Sequence, residues 1–473
     1  MKNEKMENNI VLWGSGIIGV RYCRYIKLIG FSPISFIDSD CKKWDSVIED
    51  VPVHSPDYLK KIEKRLPNFI LMLSCRSDEV YSQAIKLGVD KKRIYSVDFS
   101  LYYIFKYIID NNVLKKNNIN FEVDRQKVAF DLQNGAALGG VETWSLEQGE
   151  KIKRTGKKTT YIIGNCHNNQ LCIPDYFKCL VLNYNNDIVT CIGENVDVLN
   201  KSKFGVVISN FANINMMSNC YYKRLNNNVR HIMVIHNDEL PYFQLTILMQ
   251  EYIDYCLVIS ERIKEKLIKG GFNKDKVIIM NWNIEVDSGV RFFNKNDVIK
   301  IGYAGRVTSI QKRLDYIPKI IEKLEQEKID YLFEIAGIGD YYEELSGYVE
   351  RNNLKEKVIL LGMLDKNKMR DFWRGQDIYI SCSDWEGHSI SQCEGIACGA
   401  VPVVTDVSGV SDDIQNGVTG YIVPVGDWEA IVDRIVYLSK HRDVLKKMSD
   451  AGMNRMRERN SLFKDNILEE LCH

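Results

Sequence analysis

Short apolar runs alternate with amphipathic segments along almost the whole chain. Runs such as 69–73 and 128–132 are followed by segments that carry apolar positions at helical spacing. A short apolar run bounded by turn residues is typical of a buried strand, and strands that alternate with helices are typical of βα units. The pattern therefore predicts an α/β protein with parallel sheets.

The βα pattern restarts twice along the sequence. Strands at 10–13, 128–132 and 301–304 each open a block and lead into a glycine-bearing turn. At about 150 residues per domain, the length of 473 residues agrees with three such blocks. We predict Rossmann-like units at 1–124, 125–295 and 296–440, and helices at 441–473 that pack back on an earlier unit.

Composition and charge limit the function classes that this chain can serve. Hydrophobic residues make up 45% and charged residues 27%, as in ordinary globular proteins. Basic and acidic residues both number 63, so no overall basic field favours nucleic acid or a membrane, and a bound anion needs a local site. The 13 cysteines form no CxxC pair, which argues against a disulfide framework or a zinc site. With no signal peptide or long apolar segment, the protein is expected in the cytoplasm.

The first glycine-rich turn has the spacing of a dinucleotide fingerprint. Gly14, Gly16 and Gly19 lie between a strand and a helix, and Asp38 ends the next strand. Such glycines let the backbone approach a pyrophosphate, and such an Asp accepts ribose hydroxyls. Many Rossmann-like units keep this turn without a ligand, so an accessory nucleotide site and a scaffold both stay open.

The third block places charged side chains after the ends of strands. Arg306 follows the strand at 301–304, and Lys312 is six residues further on. An Arg fork and a Lys in the crevice at strand carboxyl ends suit a diphosphate. Glu386 and Glu394 follow a later strand. They are placed to hold hydroxyl groups of a sugar and of a ribose at either end of a bound diphosphate. Solvated surface charges are the alternative for all four.

The two glutamates also carry a resemblance to a known family. Glu386 and Glu394, with seven residues between them, resemble the EX7E segment of family 4 retaining glycosyltransferases, which have the GT-B fold. Other segments resemble motifs of that family in the same order along the chain, at 139–142, 234–237, 305–312, 336–340, 358–362 and 409–424. The resemblance covers roughly residues 127–440 and implies that the last two units form a two-lobed cleft.

The resemblance implies roles for individual residues. Arg306 and Lys312 would bind the donor diphosphate and stabilise the leaving group. Glu386 would contact the transferred sugar, and Glu394 would hold the ribose. His236 would act near the donor sugar, and a satisfied core histidine is the alternative. The remaining donor-binding positions implied by the resemblance are Gly139, Gly140, Gly305, Gly337, Gly387, His388, Ser389, Ile390 and Ser391.

The implied activity is transfer of a hexose-type sugar, with retention, from a UDP- or GDP-sugar to a glycan, lipid-linked or other hydroxyl acceptor. The expected setting is cell-surface polysaccharide synthesis, with peripheral association at the inner face of the cell membrane. Because Arg306 and Lys312 supply positive charge, we expect neither a metal nor a cofactor. The oligomeric state stays open.

Two rival functions and two departures from the family pattern stay in view. An NAD-dependent sugar-nucleotide oxidoreductase or epimerase would use the first block, but its best catalytic pair, Tyr102 and Lys106, lies in a stretch typical of a packed helix face. A catalytically inactive sugar-nucleotide-binding protein is the other rival.

His388 stands where the family usually has an apolar residue, and 281–285 is a degraded form of the family's Pro-Asn-Gly segment.

Overall fold

The structure is a computed structural model of the chain. It describes residues 9–473 except 29, 67, 75–77, 97–98, 115–121, 133–139, 166–178, 184–186, 281–282, 290, 292, 295–296 and 463–465. Gly139 and the start of the 281–285 segment lie outside the described residues. Three sheets follow one another along the chain, each built from parallel βα units. The predicted α/β class, with three parallel-sheet units, is confirmed.

The first unit is built around a six-stranded sheet. Its elements are β1 (Ile10–Trp13), α1 (Ile17–Leu28), β2 (Pro33–Ile37), β3 (Val47–Ile48), β4 (Val51–His54), α2 (Tyr58–Arg65), β5 (Ile70–Leu73), α3 (Asp78–Lys86), β6 (Ile94–Ser96) and α4 (Ser100–Asp110). The strand order is β3-β4-β2-β1-β5-β6, and the β3–β4 pair is antiparallel. Ile10 and Leu12 enter the core on one face of the sheet, and Val11 and Trp13 enter the core on the other. Both faces of β1 are therefore buried, as expected for a central parallel strand.

The second unit has a seven-stranded parallel sheet. Its elements are β7 (Asp124–Leu132), α5 (Gly140–Arg154), β8 (Lys158–Asn165), β9 (Cys179–Asn183), α6 (Ile188–Ser202), β10 (Phe204–Ser209), α7 (Ile214–Leu225), β11 (Arg230–Ile235), α8 (Leu240–Leu248), β12 (Tyr255–Val258), α9 (Glu261–Lys269) and β13 (Val277–Ile279). The strand order is β13-β12-β11-β10-β7-β8-β9. The strand order reverses between β7 and β10, which creates a crevice at the carboxyl ends of these two strands.

The third unit has a six-stranded parallel sheet, in the order β16-β15-β14-β17-β18-β19. Its elements are β14 (Ile299–Ala304), α10 (Ile317–Gln326), β15 (Tyr331–Ala336), α11 (Tyr342–Arg351), β16 (Val358–Gly362), α12 (Lys366–Gly375), β17 (Ile378–Ser381), α13 (Ile390–Ala397), β18 (Val401–Thr405), α14 (Val410–Asp413), β19 (Tyr421–Val423) and α15 (Trp428–Lys440). The order reverses between β14 and β17, so the loops that follow these two strands share one crevice.

Two more helices end the described chain, α16 (Arg442–Leu462) and α17 (Ile467–Cys472). Met456 of α16 packs in the core of the third unit. Leu468 and Cys472 of α17 are buried in the core of the second unit. This terminal segment therefore ties the third unit to the second.

The first unit is also fastened to the second. Leu101, Ile104, Phe105 and Ile108 of α4 belong to the same hydrophobic core as the second sheet. The side-chain amide of Gln244 on α8 accepts a hydrogen bond from the Ser96 amide (3.0 Å) and donates one to the Ile94 carbonyl (3.3 Å). Gln244 thus pairs with the edge strand β6 as a neighbouring strand would.

Gly14 and Gly19 of the first turn serve packing, and Asp38 already binds the turn. A Cβ atom on Gly19 would lie 1.8 Å from the Gly14 carbonyl oxygen, so helix and turn pack closely only with glycine there. The Asp38 carboxylate accepts from the Ser15 amide (2.9 Å) and ion-pairs with Lys43 (3.2 Å). Burial opposes the shift, but hydrogen bonds from Ser15 and its neighbours lower the pKa of Asp38 to about 2. The Asp38 carboxylate therefore occupies the Ser15 amide of this turn.

Candidate active site

The candidate site begins with a buried ion pair at the crevice of the third unit. Lys312 lies in the loop after β14, Glu386 lies in the loop after β17, and the Lys312 Nζ donates to Glu386 Oε1. The Ser383 hydroxyl donates to the same oxygen at 2.7 Å. The two charged side chains are 17% and 9% exposed, so water screens their attraction only weakly.

The loop that carries Arg306 is held against the loop that carries Glu386. The Arg306 Nη2 donates to Gln311 Oε1 at 2.6 Å, and the Gln311 side chain donates to the Trp385 carbonyl at 2.9 Å. The Asp384 amide donates to the Gln311 carbonyl at 2.9 Å. Arg306 itself is exposed at the mouth of the crevice, where an anionic ligand can reach it.

Two glycines bring neighbouring loops together beside this ion pair. The Gly305 amide donates to the Ala336 carbonyl at 3.0 Å. A Cβ atom on Gly337 would lie 1.8 Å from the Gly305 carbonyl oxygen. The loops after β14 and β15 therefore approach more closely than any side chain on Gly337 would permit.

The segment after Glu386 leads directly into α13. Ser389 is the N-cap, and its hydroxyl accepts from the Gln392 amide at 3.3 Å. Glu394 is half-buried in the middle of this short helix. The N-terminal residues of α13, Ile390 and Ser391, thus follow the loop that carries Glu386, with the helix dipole favouring an anion at that end.

His388 lies in a closed, charged cluster together with Cys393, Asp413 and Arg459, which we call the His388 cluster. The His388 Nδ1 donates to the Ile259 carbonyl at 2.7 Å, and its Nε2 donates to Asp413 at 2.7 Å. Both ring nitrogens face acceptors, so the ring is an imidazolium. Burial opposes this state, but the Asp413 carboxylate raises the pKa of His388 well above its usual value.

The His388 cluster also offers three metal-ligand types. One ligand atom from each of His388, Cys393 and Asp413 lies within 4.8 Å of the others. Arg459 Nη1 lies 3.1 Å from Asp413 Oδ1 and 3.3 Å from Cys393 Sγ. A positive guanidinium in that position repels a cation, so this donor set fits an ion-pair cluster better than a metal.

The second unit contributes His236, which directly follows β11. His236 Nε2 donates to Asn210 Oδ1 at 2.9 Å, because the Asn210 amide nitrogen already donates to the Asp131 carbonyl at 2.7 Å. The ring of Trp144 packs edge-on at 4.9 Å between centroids. Burial lowers the pKa of His236 to about 3, so the ring is neutral.

Glu142 faces the crevice from the first turn of α5, which begins at Gly140. Burial raises the pKa of Glu142, and the charge of Arg306 in the other lobe opposes that shift. The sequence motif contained Glu142, but no role followed from spacing alone. Its closeness to Arg306 depends on how the two lobes face each other.

The two lobes touch at Gly387. A Cβ atom on Gly387 would lie 1.8 Å from the His236 carbonyl oxygen and 2.7 Å from the Ile259 side chain. Hydrogen bonds between Ser260 and Ser408 (2.8 Å) lie at the same contact. Only a residue without a side chain permits this approach of the lobes.

We expect Gly387→Ala to lower the rate of sugar transfer by about 10²-fold, the cost of misplacing reacting groups by about 1 Å. Gly375→Ala is the matched control, because a Cβ atom at Gly375 meets nothing within 4 Å. Steady-state transfer rates measure the effect, and small-angle scattering should show a more open Gly387→Ala protein. A variant as active as the Gly375→Ala control would contradict this role of the contact.

The structure brings most of the sequence-predicted residues together. In the third unit, the loops after β14, β15 and β17 carry Gly305, Arg306, Lys312, Gly337, Glu386, Gly387, His388 and Ser389, and α13 carries Ile390, Ser391 and Glu394. His236 and Gly140 belong to the second unit, across the cleft. Gly14, Gly16, Gly19 and Asp38 form a separate turn in the first unit. Sequence patterns did not reveal Asn210, Asp413 or Arg459, since these residues act through partners that are distant along the chain.

Part of the chain matches a known protein family. Residues 290–455 match the family Glycosyl transferases group 1. This match spans the third unit and most of α16, about a third of the chain. None of the described helices is long and apolar enough to cross a membrane.

Curated relatives resemble part of the chain. The uncharacterized glycosyltransferase MJ1178 of Methanocaldococcus jannaschii is 22% identical over 231 residues, which are 47% of this chain. The amylovoran biosynthesis glycosyltransferase AmsK of Erwinia amylovora is 25% identical over 223 residues, which are 45% of this chain. The chain spans 62% and 52% of the length of these two relatives.

A solved structure shows the same fold. Anabaena Alr3699/HepE in complex with UDP-glucose superposes with a TM-score of 0.58, at 13% identity, over 73% of this chain and 99% of that protein. The fold of the last two units is GT-B, with two Rossmann-like lobes and a cleft between them, which confirms the predicted architecture.

Proposed function

We propose that this protein is a retaining glycosyltransferase of the family 4 type, which moves a sugar from a nucleotide-diphosphate donor to a hydroxyl acceptor. The observation that carries the proposal is the Lys312–Glu386 ion pair at the crevice of the third unit, with Arg306 at its mouth. These cations suit a departing diphosphate, whose negative charge grows as the bond to the sugar breaks. Glu386 and Glu394 are the two glutamates of the EX7E segment.

The roles of the two lobes follow from the placement of their side chains. Arg306 and Lys312 would hold the diphosphate, Glu394 the ribose, and Glu386 the sugar. Neutral His236 would donate no charge and would present its ring beside the sugar. Because Arg306 and Lys312 supply positive charge, the proposed reaction needs neither a metal nor a cofactor.

Retention would follow from attack on the face that the diphosphate leaves. The acceptor oxygen bonds to the anomeric carbon, the bond from that carbon to the phosphate oxygen breaks, and the hydroxyl proton passes to the departing phosphate. Glu386 Oε1 already accepts from both Lys312 and Ser383, which suits a binding role better than a nucleophilic one.

The donor and biological setting are proposed from the relatives. HepE was crystallised with UDP-glucose, and AmsK is named for polysaccharide biosynthesis. We propose a UDP- or GDP-sugar as donor, a glycan or lipid-linked acceptor, and action on the cytoplasmic side of the cell membrane.

A thermal-shift screen tests the proposal with UDP-glucose, UDP-galactose, UDP-N-acetylglucosamine, GDP-mannose and NAD⁺. A ligand at about 100 times its Kd stabilises the folded state by about 2.7 kcal/mol. We expect at least one nucleotide sugar to raise the Tm and NAD⁺ to leave it unchanged. A shift with NAD⁺ alone would favour an oxidoreductase instead. The anomeric configuration of the product, read by NMR, then decides between retention and inversion, and EDTA should leave turnover unchanged.

A further inference from the structure

A cavity of about 550 Å³ lies where the three units meet. The first unit lines it with Tyr81 and Ser96, the second with Asp238 and Phe243, and the third with Trp385 and Glu386. Its volume falls within the range of about 300–1,000 Å³ that is usual for small-molecule sites. Since Glu386 belongs to both, the cavity borders the candidate active site.

The two basic side chains of the cavity wall are each paired with a carboxylate. Lys266 ion-pairs with Asp238 at 2.7 Å, and Arg262 pairs with Asp406. Both basic side chains of the lining are therefore neutralised by carboxylates of the same lining. A phosphate group would find no surplus positive charge here, whereas paired carboxylates still have lone pairs that accept hydroxyl hydrogens.

Three aromatic side chains, Tyr81, Phe243 and Trp385, line the cavity together with aliphatic side chains such as Leu73 and Leu240. All three are half-buried residues of the cavity wall. Flat rings beside hydroxyl-accepting groups match a sugar, which has apolar C–H faces and a rim of hydroxyl groups. The wall chemistry therefore fits a neutral saccharide.

The wall contributed by the first unit is fixed in place. Gln244 holds the backbone of Ser96, and α4 is packed into the core of the second unit. A site made from rigidly supported elements keeps its geometry when the ligand binds. The first unit is thus positioned as a permanent part of the cavity.

We propose that this three-unit cavity is the acceptor site, that it takes the neutral saccharide end of the acceptor, and that Tyr81 is a specificity-determining residue. The proposal rests on the proposed glycosyltransferase function. The acceptor hydroxyl would point toward Glu386, while the donor occupies the crevice around Arg306 and Lys312. The first unit then serves acceptor selection.

Saturation-transfer NMR on the full chain with saturating UDP tests this assignment. The probes are lactose, maltose and N,N′-diacetylchitobiose, with glucose 6-phosphate as the charged comparison. We expect at least one neutral disaccharide to bind, more tightly than glucose 6-phosphate does. Tyr81→Ala and Phe243→Ala should each weaken that binding at least tenfold without changing UDP binding.

Tyr58→Ala is the matched control for Tyr81→Ala. Tyr58 and Tyr81 are both half-buried and pack against the same core cluster of the first unit, but only Tyr81 lines the cavity. We expect saccharide binding to survive in the control. Absence of any disaccharide signal, preference for glucose 6-phosphate, or wild-type affinity in Tyr81→Ala would overturn the proposal. Failure of the glycosyltransferase function itself would look different, because no nucleotide sugar would then bind or turn over while disaccharides still bound.

Discussion

Replacement of Lys312 by alanine is expected to lower the rate of sugar transfer by about 10³-fold. The replacement removes the cation that would face the departing diphosphate, and loss of one such preorganised group typically costs about 10²–10³-fold. It also leaves Glu386, which is only 9% exposed in its side chain, without its counter-charge. Glu386→Ala should reduce transfer to a similar extent. Steady-state rates of sugar transfer, measured with the donor that the thermal-shift screen identifies, give both effects.

A matched ion pair and a double variant separate chemistry from stability. Lys355 and Glu350 form a pair in the same unit with both side chains 69% exposed, so Lys355→Ala should change neither activity nor Tm. Removing both Lys312 and Glu386 removes the unpaired charge, so the double variant should regain stability lost in the single variants and stay inactive. Near-normal turnover in Lys312→Ala or Glu386→Ala would rule out the proposed site.

Replacement of His388 by phenylalanine is expected to change how stability depends on pH. The Asp413 carboxylate raises the pKa of folded His388 well above 6.5, so its stabilising contribution is complete below pH 6.5 and is lost as the pH rises through the folded pKa. Each pH unit over which only the folded state holds the proton lowers the unfolding free energy by about 1.4 kcal/mol. Urea denaturation between pH 6.5 and 8.5 should show this loss in the wild type and a flatter curve in His388→Phe.

Other histidines provide internal controls for that experiment. Burial lowers the pKa of His231 to about 4 and that of His236 to about 3. Because the unfolded state takes up protons first, these two histidines lower the unfolding free energy as the pH falls below 6.5. The wild type and His388→Phe should both show that loss of stability in acid. His441→Phe changes an exposed histidine and should keep the alkaline loss. An equally steep alkaline loss in His388→Phe would refute the imidazolium assignment.

Strand ends could be placed from the sequence because the relevant information is local. The run at 301–304 predicted a strand, β14 includes it, and Arg306 follows directly. Since parallel strands present their carboxyl ends on one edge, Lys312 and Glu386 were expected near one crevice, but the ion pair between them was not predicted. The glycine fingerprint in the first unit was less informative. Gly14 and Gly19 are explained by packing, and the contact between Asp38 and Ser15 depends on a loop geometry that spacing does not specify.

Partners that are far apart in the chain could not be predicted in this way. His388 was visible only as a departure from an apolar family position, whereas its imidazolium state depends on Asp413 and on the Ile259 carbonyl of the other lobe. Similarly, no pattern connected Tyr81 with Glu386 in one cavity.

The sequence by itself determined the α/β class, the three units and the strand-end placement of the charged residues, because strand and helix periodicity are properties of neighbouring residues. Only the tertiary structure decided which charges neutralise each other, which histidine is protonated, and that the first unit forms one wall of a shared cavity. These properties depend on burial and on distances across hundreds of residues, and both are set when the packed units exclude water.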